Sequence, residues 1–131
     1  MRWSPQLKQL RVLSVRQPWA WLIVNGYKDI ENRSWRTNHR GPLLIHASSN
    51  RRDFMPEKLA EIRKKHRVRV PADLQYGGIV GLVDVIDCVK THSSKWKFKG
   101  SWGWVLEKQR RLPYRQCKGS IGFFKLKSHP I

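Results

Sequence analysis

The stretch Gly77–Val89, GGIVGLVDVIDCV, carries the strongest strand signal in this chain of 131 residues. Apolar side chains face both sides of the strand at its start, which is typical of a strand that is covered on both faces. A central strand of a small barrel requires this pattern. The sequence therefore predicts a barrel built around this stretch. Its apolar positions are Ile79, Val80, Leu82, Val83, Val85 and Ile86.

Shorter strand patterns and turn signals lie on both sides of this central strand. The turns are the basic loop His92–Lys99 and the segment Arg110–Arg115, which contains Pro113. With the central stretch, the patterns give five or six strands. The other predicted strands are Arg11–Val15, Lys28–Trp35, Gly41–Ser48, Trp102–Lys108 and Ser120–Lys127.

Two main helices are predicted between the strands. The first begins at Pro18, because proline suits the first helical position, and is ended by Gly26. Residues 19–24 are apolar all round, so this helix is expected to be buried. The second, Asp53–His66, ends in cations that suit a helix C-terminus and is expected on the outside. These elements predict an α+β fold, a small mixed β-barrel, with residues 1–131 forming one domain.

The charge of the chain is strongly basic. Lysine and arginine number 27 against nine carboxylates, which gives a formal net charge of +18. Such a field attracts polyanions, and the apolar and aromatic content excludes a disordered chain. A membrane surface is a weaker partner than nucleic acid, because the basic helical stretch Glu57–Arg67 lacks a broad apolar face.

Other features narrow the class of protein. No segment has the apolar length of a signal peptide or a membrane span, so a cytoplasmic protein is expected. The two cysteines, Cys88 and Cys117, are too few and too far apart for a zinc pattern. The sequence therefore predicts neither a metal nor a cofactor.

Six short segments, in order along most of the chain, carry a family resemblance. They are LSVRQPWA (residues 13–20), GYKDIENRSW (26–35), RGPLLIHA (40–47), GIVG (78–81), GWVLE (103–107) and KGSIG (118–122). In these segments the chain closely resembles the ASCH domain family. The resemblance implies a PUA-like fold, a β-barrel related to RNA-binding PUA domains.

The resemblance also implies a cleft around the strand that carries the pattern G-x-K-x-x-E-x-R. Here these residues are Gly26, Lys28, Glu31 and Arg33. Strand alternation alone would place Lys28 and Glu31 on opposite faces. Lys28 must therefore precede the regular strand, just after a turn at Gly26, or a bulge must intervene.

The leading hypothesis is a nucleic-acid-binding module, with RNA favoured over DNA by the PUA-like kinship alone. A helix start, cations and aromatic rings beside the cleft are suited to phosphates and bases. The polar residues among them have a structural alternative: Gln17 satisfying a helix end, His46 as a core histidine, and Glu31 in a plain ion pair with Arg33. The candidate binding residues are Ser14, Arg16, Gln17, Trp19, Lys28, Glu31, Arg33, Trp35, Arg40 and His46.

The resemblance leaves an enzyme open as the alternative. Some relatives are reported as ribonucleases, and a distant branch removes the acyl group from an acylated cytidine nucleoside. Lys28 would then be the base or nucleophile, and Glu31 would shuttle a proton. In the deacylating branch a hydroxyl residue matches Glu31, and no carboxylate lies between Val89 and Gly100 to serve as its acid. A third possibility is an adaptor that binds an acidic protein through its basic face.

Overall fold

A computed structural model describes residues 3–126 of the chain. This part contains six strands and three α-helices. In chain order they are α1 (Pro5–Lys8), β1 (Arg11–Val15), α2 (Trp19–Val24), β2 (Ile30–Arg33), β3 (Gly41–Ala47), α3 (Pro56–His66), β4 (Gly78–Val89), β5 (Trp102–Gln116) and β6 (Phe123–Lys125).

The six strands form one sheet in the order β2-β5-β4-β3-β1-β6. Strand β1 runs parallel to β3, and the other neighbouring pairs are antiparallel. The pairing of β4 with β5 shifts register at three places, and such irregularities bend a sheet and increase its twist. The sheet curls into a half-barrel, which confirms the predicted α+β barrel architecture.

The main core lies between α2 and the inner face of the curled sheet. Ala20, Ile23 and Val24 of α2 are buried against strand residues such as Val83 and Trp104. The amide of Gln109 on β5 donates to the carbonyls of Ile23 and Lys28, both at 2.7 Å. The apolar helix is therefore buried as predicted, but it begins at Trp19, with Pro18 as its N-cap instead of its first helical residue. The side chain of Gln109 holds the backbone at and after its C-terminal end.

Strand β5 is longer than the sequence indicates. The prediction of a turn over Arg110–Arg115 is wrong, because this segment continues the strand and pairs with Gly78–Leu82 of β4. Proline is tolerated there for a physical reason. Among the described residues, the opposite neighbour, β2, pairs only with the beginning of β5, at Trp102–Val105, so Pro113 lies on an edge where no described strand requires its missing N–H.

Other boundaries differ by a few residues. Helix α3 begins at Pro56 instead of Asp53, with extended Met55 as its N-cap. Helix α1 has no counterpart in the prediction, although Ser4 caps it by accepting a bond from the amide of Leu7. The last predicted strand, Ser120–Lys127, is reduced to β6, and its final residue lies outside the described residues. Within residues 3–126 no helix is long and apolar enough to cross a membrane.

Gly81 of β4 sets how closely α2 approaches the sheet. A Cβ atom at this position would lie 2.6 Å from both the Cβ of Val24 and the carbonyl oxygen of Arg110. We expect Gly81→Ala to lower the free energy of unfolding by about 1–3 kcal/mol, the usual cost of overpacking a core. Urea unfolding would measure it, with Ile86→Ala on the exposed side of the same strand as control. Equal stability of the two variants would contradict this packing.

Candidate functional site

A cleft of about 500 Å³ opens beside the end of β1 and the strand β2. Its walls come from parts of the chain that are far apart in sequence: residues 14–16, Trp19, Lys28, residues 31–34, and the loop after β3. Phe98 and residues 120–122 complete its border. The curl of the sheet brings these segments together, since β1 and β2 are not neighbours in the strand order.

Three charged side chains form a chain of contacts at the back of the cleft. The carboxylate of Glu31, only 7% exposed, accepts a hydrogen bond at Oε2 from Nε of Arg33 at 2.9 Å, and Nη2 of Arg33 lies 2.8 Å from the same oxygen in an ion pair. Its other oxygen, Oε1, lies 3.4 Å from the Nζ of Lys28. Arg33 also donates from Nη2 to the carbonyl oxygen of Ser14 on β1, at 2.9 Å. Two cations therefore compensate one buried carboxylate.

Lys28 reaches Glu31 because it lies before the regular part of β2. The chain turns at Gly26, and the amides of Tyr27 and Lys28 both donate to the carbonyl of Leu22. This is the first of the two arrangements considered from the sequence. Lys28 is 3% exposed and donates to the carbonyl of Ile30 as well as facing Glu31. Burial lowers the pKa of Lys28, and the charge of Glu31 opposes that shift.

Trp19 forms a side wall of the cleft and is held by a carboxylate. Its indole Nε1 donates to Oδ2 of Asp53 at 3.2 Å, and Arg16 lies 3.7 Å from the same oxygen. The Nζ of Lys28 is 5.9 Å from the centre of a Trp19 ring, as is that of Lys58 on α3. Asp53, predicted from the sequence as the start of a helix, lines the cleft instead. No local signal distinguishes these two roles.

Ser14 lines the cleft, and its hydroxyl group donates a hydrogen bond to the ring of His46. The Nε2 of His46 lies 2.8 Å from the carbonyl oxygen of Cys117, which only accepts, so Nε2 carries the ring proton. Nδ1 then accepts from the hydroxyl of Ser14, at 2.9 Å. Burial lowers the pKa of His46, which favours this neutral ring. The Ser14 oxygen is left with lone pairs to offer a ligand.

Comparison with known proteins agrees with the fold and with the motif segments. The family model described as the ASCH domain matches residues 13–118. This chain belongs to the ASCH domain family. Activating signal cointegrator 1 of Homo sapiens is 40% identical over 92 residues, which cover 66% of this chain and 16% of that protein. The Mus musculus protein of the same name is 42% identical over 83 residues, covering 59% and 14%.

The ASCH domain also has a solved structural relative. The crystal structure of a mutant of ZmASCH from Zymomonas mobilis aligns with a TM-score of 0.56 at 10% identity, covering 91% of each chain. At this identity the likeness concerns the fold alone. The predicted PUA-like α+β fold is confirmed. The chain spans less than a fifth of the length of the cointegrators that it matches.

The cleft of this ASCH domain brings together six of the ten candidate binding residues. Gln17 lies outside the cleft: its Oε1 accepts from the amide of Trp21 at 2.8 Å, and its Nε2 donates to the carbonyl of Gln75 at 2.9 Å. His46 is 1% exposed behind Ser14. The six that line the cleft are Ser14, Arg16, Trp19, Lys28, Glu31 and Arg33.

The remaining two candidates also lie outside the cleft lining. Trp35 packs edge-on against Trp104, with ring centres 4.7 Å apart, and against Phe123. Arg40 donates to backbone carbonyls of its own turn and lies 3.7 Å from Asp87. Over residues 3–126, no group of three or more His, Cys, Asp or Glu side chains is arranged to hold a metal ion.

The buried neutral His46 predicts a loss of stability in mild acid. Its pKa in the folded state is below the unfolded value of 6.5, so below that pH the unfolded chain binds a proton that the folded chain does not. The free energy of unfolding should therefore fall as the pH is lowered from 7.5 to 5.5, by at most about 1.4 kcal/mol per pH unit for this group.

Urea unfolding at each pH would test this expectation. Burial also lowers the pKa of His66, so the comparison is best made in a His66→Gln background. Adding His46→Gln should flatten the pH dependence of stability over this range. An unchanged slope in the double variant would show that His46 is not the group responsible.

Proposed function

We propose that this ASCH domain binds nucleic acid by holding one nucleotide in the cleft. The observation that carries the proposal is the set of side chains gathered there: three cations (Arg16, Lys28 and Arg33), the ring of Trp19, and the acceptors Glu31 and Ser14. The cleft volume of about 500 Å³ falls within the range of small-ligand sites.

Charge supports a polyanion as the ligand. The chain carries a net charge of +18, and such a field attracts phosphate backbones. Within the cleft, Arg16 is 41% exposed at its side chain, so its guanidinium is accessible to a phosphate at the mouth. The deeper cations already face Glu31 and hold it in place. The mouth of the cleft is therefore suited to the phosphate backbone of a nucleic acid, and the interior is suited to a less charged part of the ligand.

The acceptors in the interior suit the edge of a base. Glu31 has lone pairs left on Oε1, whose nearest donor is Lys28 at 3.4 Å, and Ser14 offers lone pairs because its proton is bonded to His46. Amino groups of cytosine, adenine and guanine donate to such acceptors. Arg33 and Lys28 supply donors beside them. The ring of Trp19 at the side wall is a surface on which a base can stack.

RNA is the proposed polymer in preference to DNA, on the PUA-like kinship of the fold. The human and mouse relatives are named as signal cointegrators. We further propose that residues 1–131 act as one domain in the cytoplasm. An acidic protein partner would use the same positive field, but it would leave the base-sized cleft without a role.

Titration with single-stranded RNA at two salt concentrations would test the proposal. Binding should weaken steeply with salt, because each phosphate neutralised releases counterions. Replacing Arg51, Arg52, Arg63, Lys64 and Lys65 by glutamine should weaken all sequences alike and flatten the slope by roughly one unit per lost phosphate contact.

Changes inside the cleft should act differently. Glu31→Gln should abolish a preference among bases with little effect on the salt slope, and Arg16→Ala provides a second variant at a more exposed position. Thermal unfolding of each variant would confirm that it is folded. Loss of affinity in proportion to charge alone, in both groups of variants, would remove any special role of the cleft. No binding at low salt would overturn the proposal.

A hydrolase acting on RNA or on a modified nucleoside is the second candidate. It is favoured by the position of Lys28, whose Nζ is buried in the cleft beside Glu31 with a lowered pKa, as a general base requires. A binding module should leave labelled RNA and acylated cytidine intact after incubation, as judged by chromatography. Product that forms with the wild type and is lost with Lys28→Ala would instead establish an enzyme.

A further inference from the structure

Two exposed apolar side chains border the cleft. Phe98 is 53% exposed and Ile121 is 99% exposed, and both line the cavity. Neither belongs to a core cluster of the described residues. A single exposed apolar residue is ordinary, but two at the border of one polar cleft indicate a contact with apolar parts of a ligand.

The loop that carries Phe98 is held by hydrogen bonds to Asn32, which lines the cleft. The backbone amide of Phe98 donates to Oδ1 of Asn32 at 2.9 Å, and Nδ2 of Asn32 donates to the carbonyl of the buried Trp96 at 2.8 Å. Lys97 ties the far side of the loop by donating to the carbonyl of Ser101 at 2.6 Å. Asn32, on β2, also lines the cleft. The backbone that carries the phenyl ring is therefore positioned before a ligand arrives.

The segment that carries Ile121 is held by contacts with His46 on β3. His46 donates to the carbonyl of Cys117, and Gly119 packs against the histidine ring so closely that a Cβ there would lie 2.8 Å from its Cε1. This contact requires glycine. His46 and Ser14 thus support the backbone immediately before Ile121, while Ser14 also faces the cleft.

Lysines lie close in sequence to both apolar residues. Lys97 and Lys99 flank Phe98, and Lys118 precedes Ile121. None of these lysines forms a salt bridge with a described carboxylate. The Nζ of Lys97 is engaged with backbone carbonyls of its own loop. Apolar and aromatic side chains interleaved with cations are typical of proteins that bind single-stranded nucleic acid, because bases stack on the rings while phosphates approach the cations.

We propose that Phe98 and Ile121 contact the bases next to the nucleotide in the cleft, and that this domain therefore selects unpaired nucleic acid over a duplex. In a duplex the faces of the bases are covered by their neighbours and cannot reach these side chains. The inference rests on the proposed function and adds to it the structural state of the polymer and two residues that determine it.

Fluorescence anisotropy with three labelled ligands would test this selectivity. The ligands are a single-stranded RNA, an abasic oligomer with the same number of phosphates, and an RNA duplex. Phe98→Ala should weaken binding of the single strand roughly 5-fold to 150-fold, the effect of losing one base–aromatic stack, and Ile121→Ala should weaken it less. Binding of the abasic oligomer and of the duplex should change less than about twofold, since their phosphate contacts persist.

Matched variants make the result specific. Ile86→Ala, at a residue 45% exposed on β4 and outside the cleft lining, should have no effect, and Phe98→Trp should retain the affinity for the single strand. Equal affinity of wild type and Phe98→Ala for the single strand would overturn the inference and leave the proposed function standing. So would an equal loss with the abasic oligomer. Failure of the wild type to bind any of the three ligands at low salt would overturn both.

Discussion

The guanidinium of Arg33 connects two strands that are not neighbours in the sheet. Strand β2 forms one edge of the strand order, and β1 lies next to the other edge. Arg33 spans the curl between them, donating to Glu31 on its own strand and to the backbone of Ser14 on β1. The curl of the sheet brings β1 and β2 close enough for the side chain of Arg33 to bridge them, and this forms the cleft. The carboxylate of Glu31 holds the guanidinium of Arg33 in place.

Glu31 in turn constrains the surrounding chain. A carboxylate that is 7% exposed is costly unless cations and hydrogen bonds compensate its lost hydration, and removing one partner of such a group costs more than the pair contributes. Lys28 supplies the second cation. It can face Glu31 because it lies in the turn after Gly26, before the regular alternation of side chains in β2 begins. The charges are therefore better understood as fixing geometry than as stabilising the fold.

Much of this arrangement could be predicted from the sequence where the determining signal is local. The two-sided apolar pattern predicts β4, and the apolar stretch between Pro18 and Gly26 predicts α2. The grouping of Lys28, Glu31 and Arg33 follows from the family motif. Pro113 was misjudged because its turn chemistry is local, whereas pairing with β4 is set by residues about thirty positions away. Phe98 was missed because it lies in a basic loop that has the composition of a solvated surface. Ile121 was assigned to the predicted strand Ser120–Lys127, whereas β6 begins at Phe123.

The polar residues of the motif segments divide into two roles that sequence cannot separate. Gln17 and His46 satisfy backbone groups of distant loops, while Ser14 and Arg33 contact both a neighbour and the cleft. Consequently the donors and acceptors of the cleft are fixed before a ligand binds. A simple anion would meet the carboxylate of Glu31, and a simple cation would meet Arg33 and Lys28. A ligand with separate anionic and hydrogen-bond-donating ends suits both, and a nucleotide, with its phosphate and its base, has this distribution.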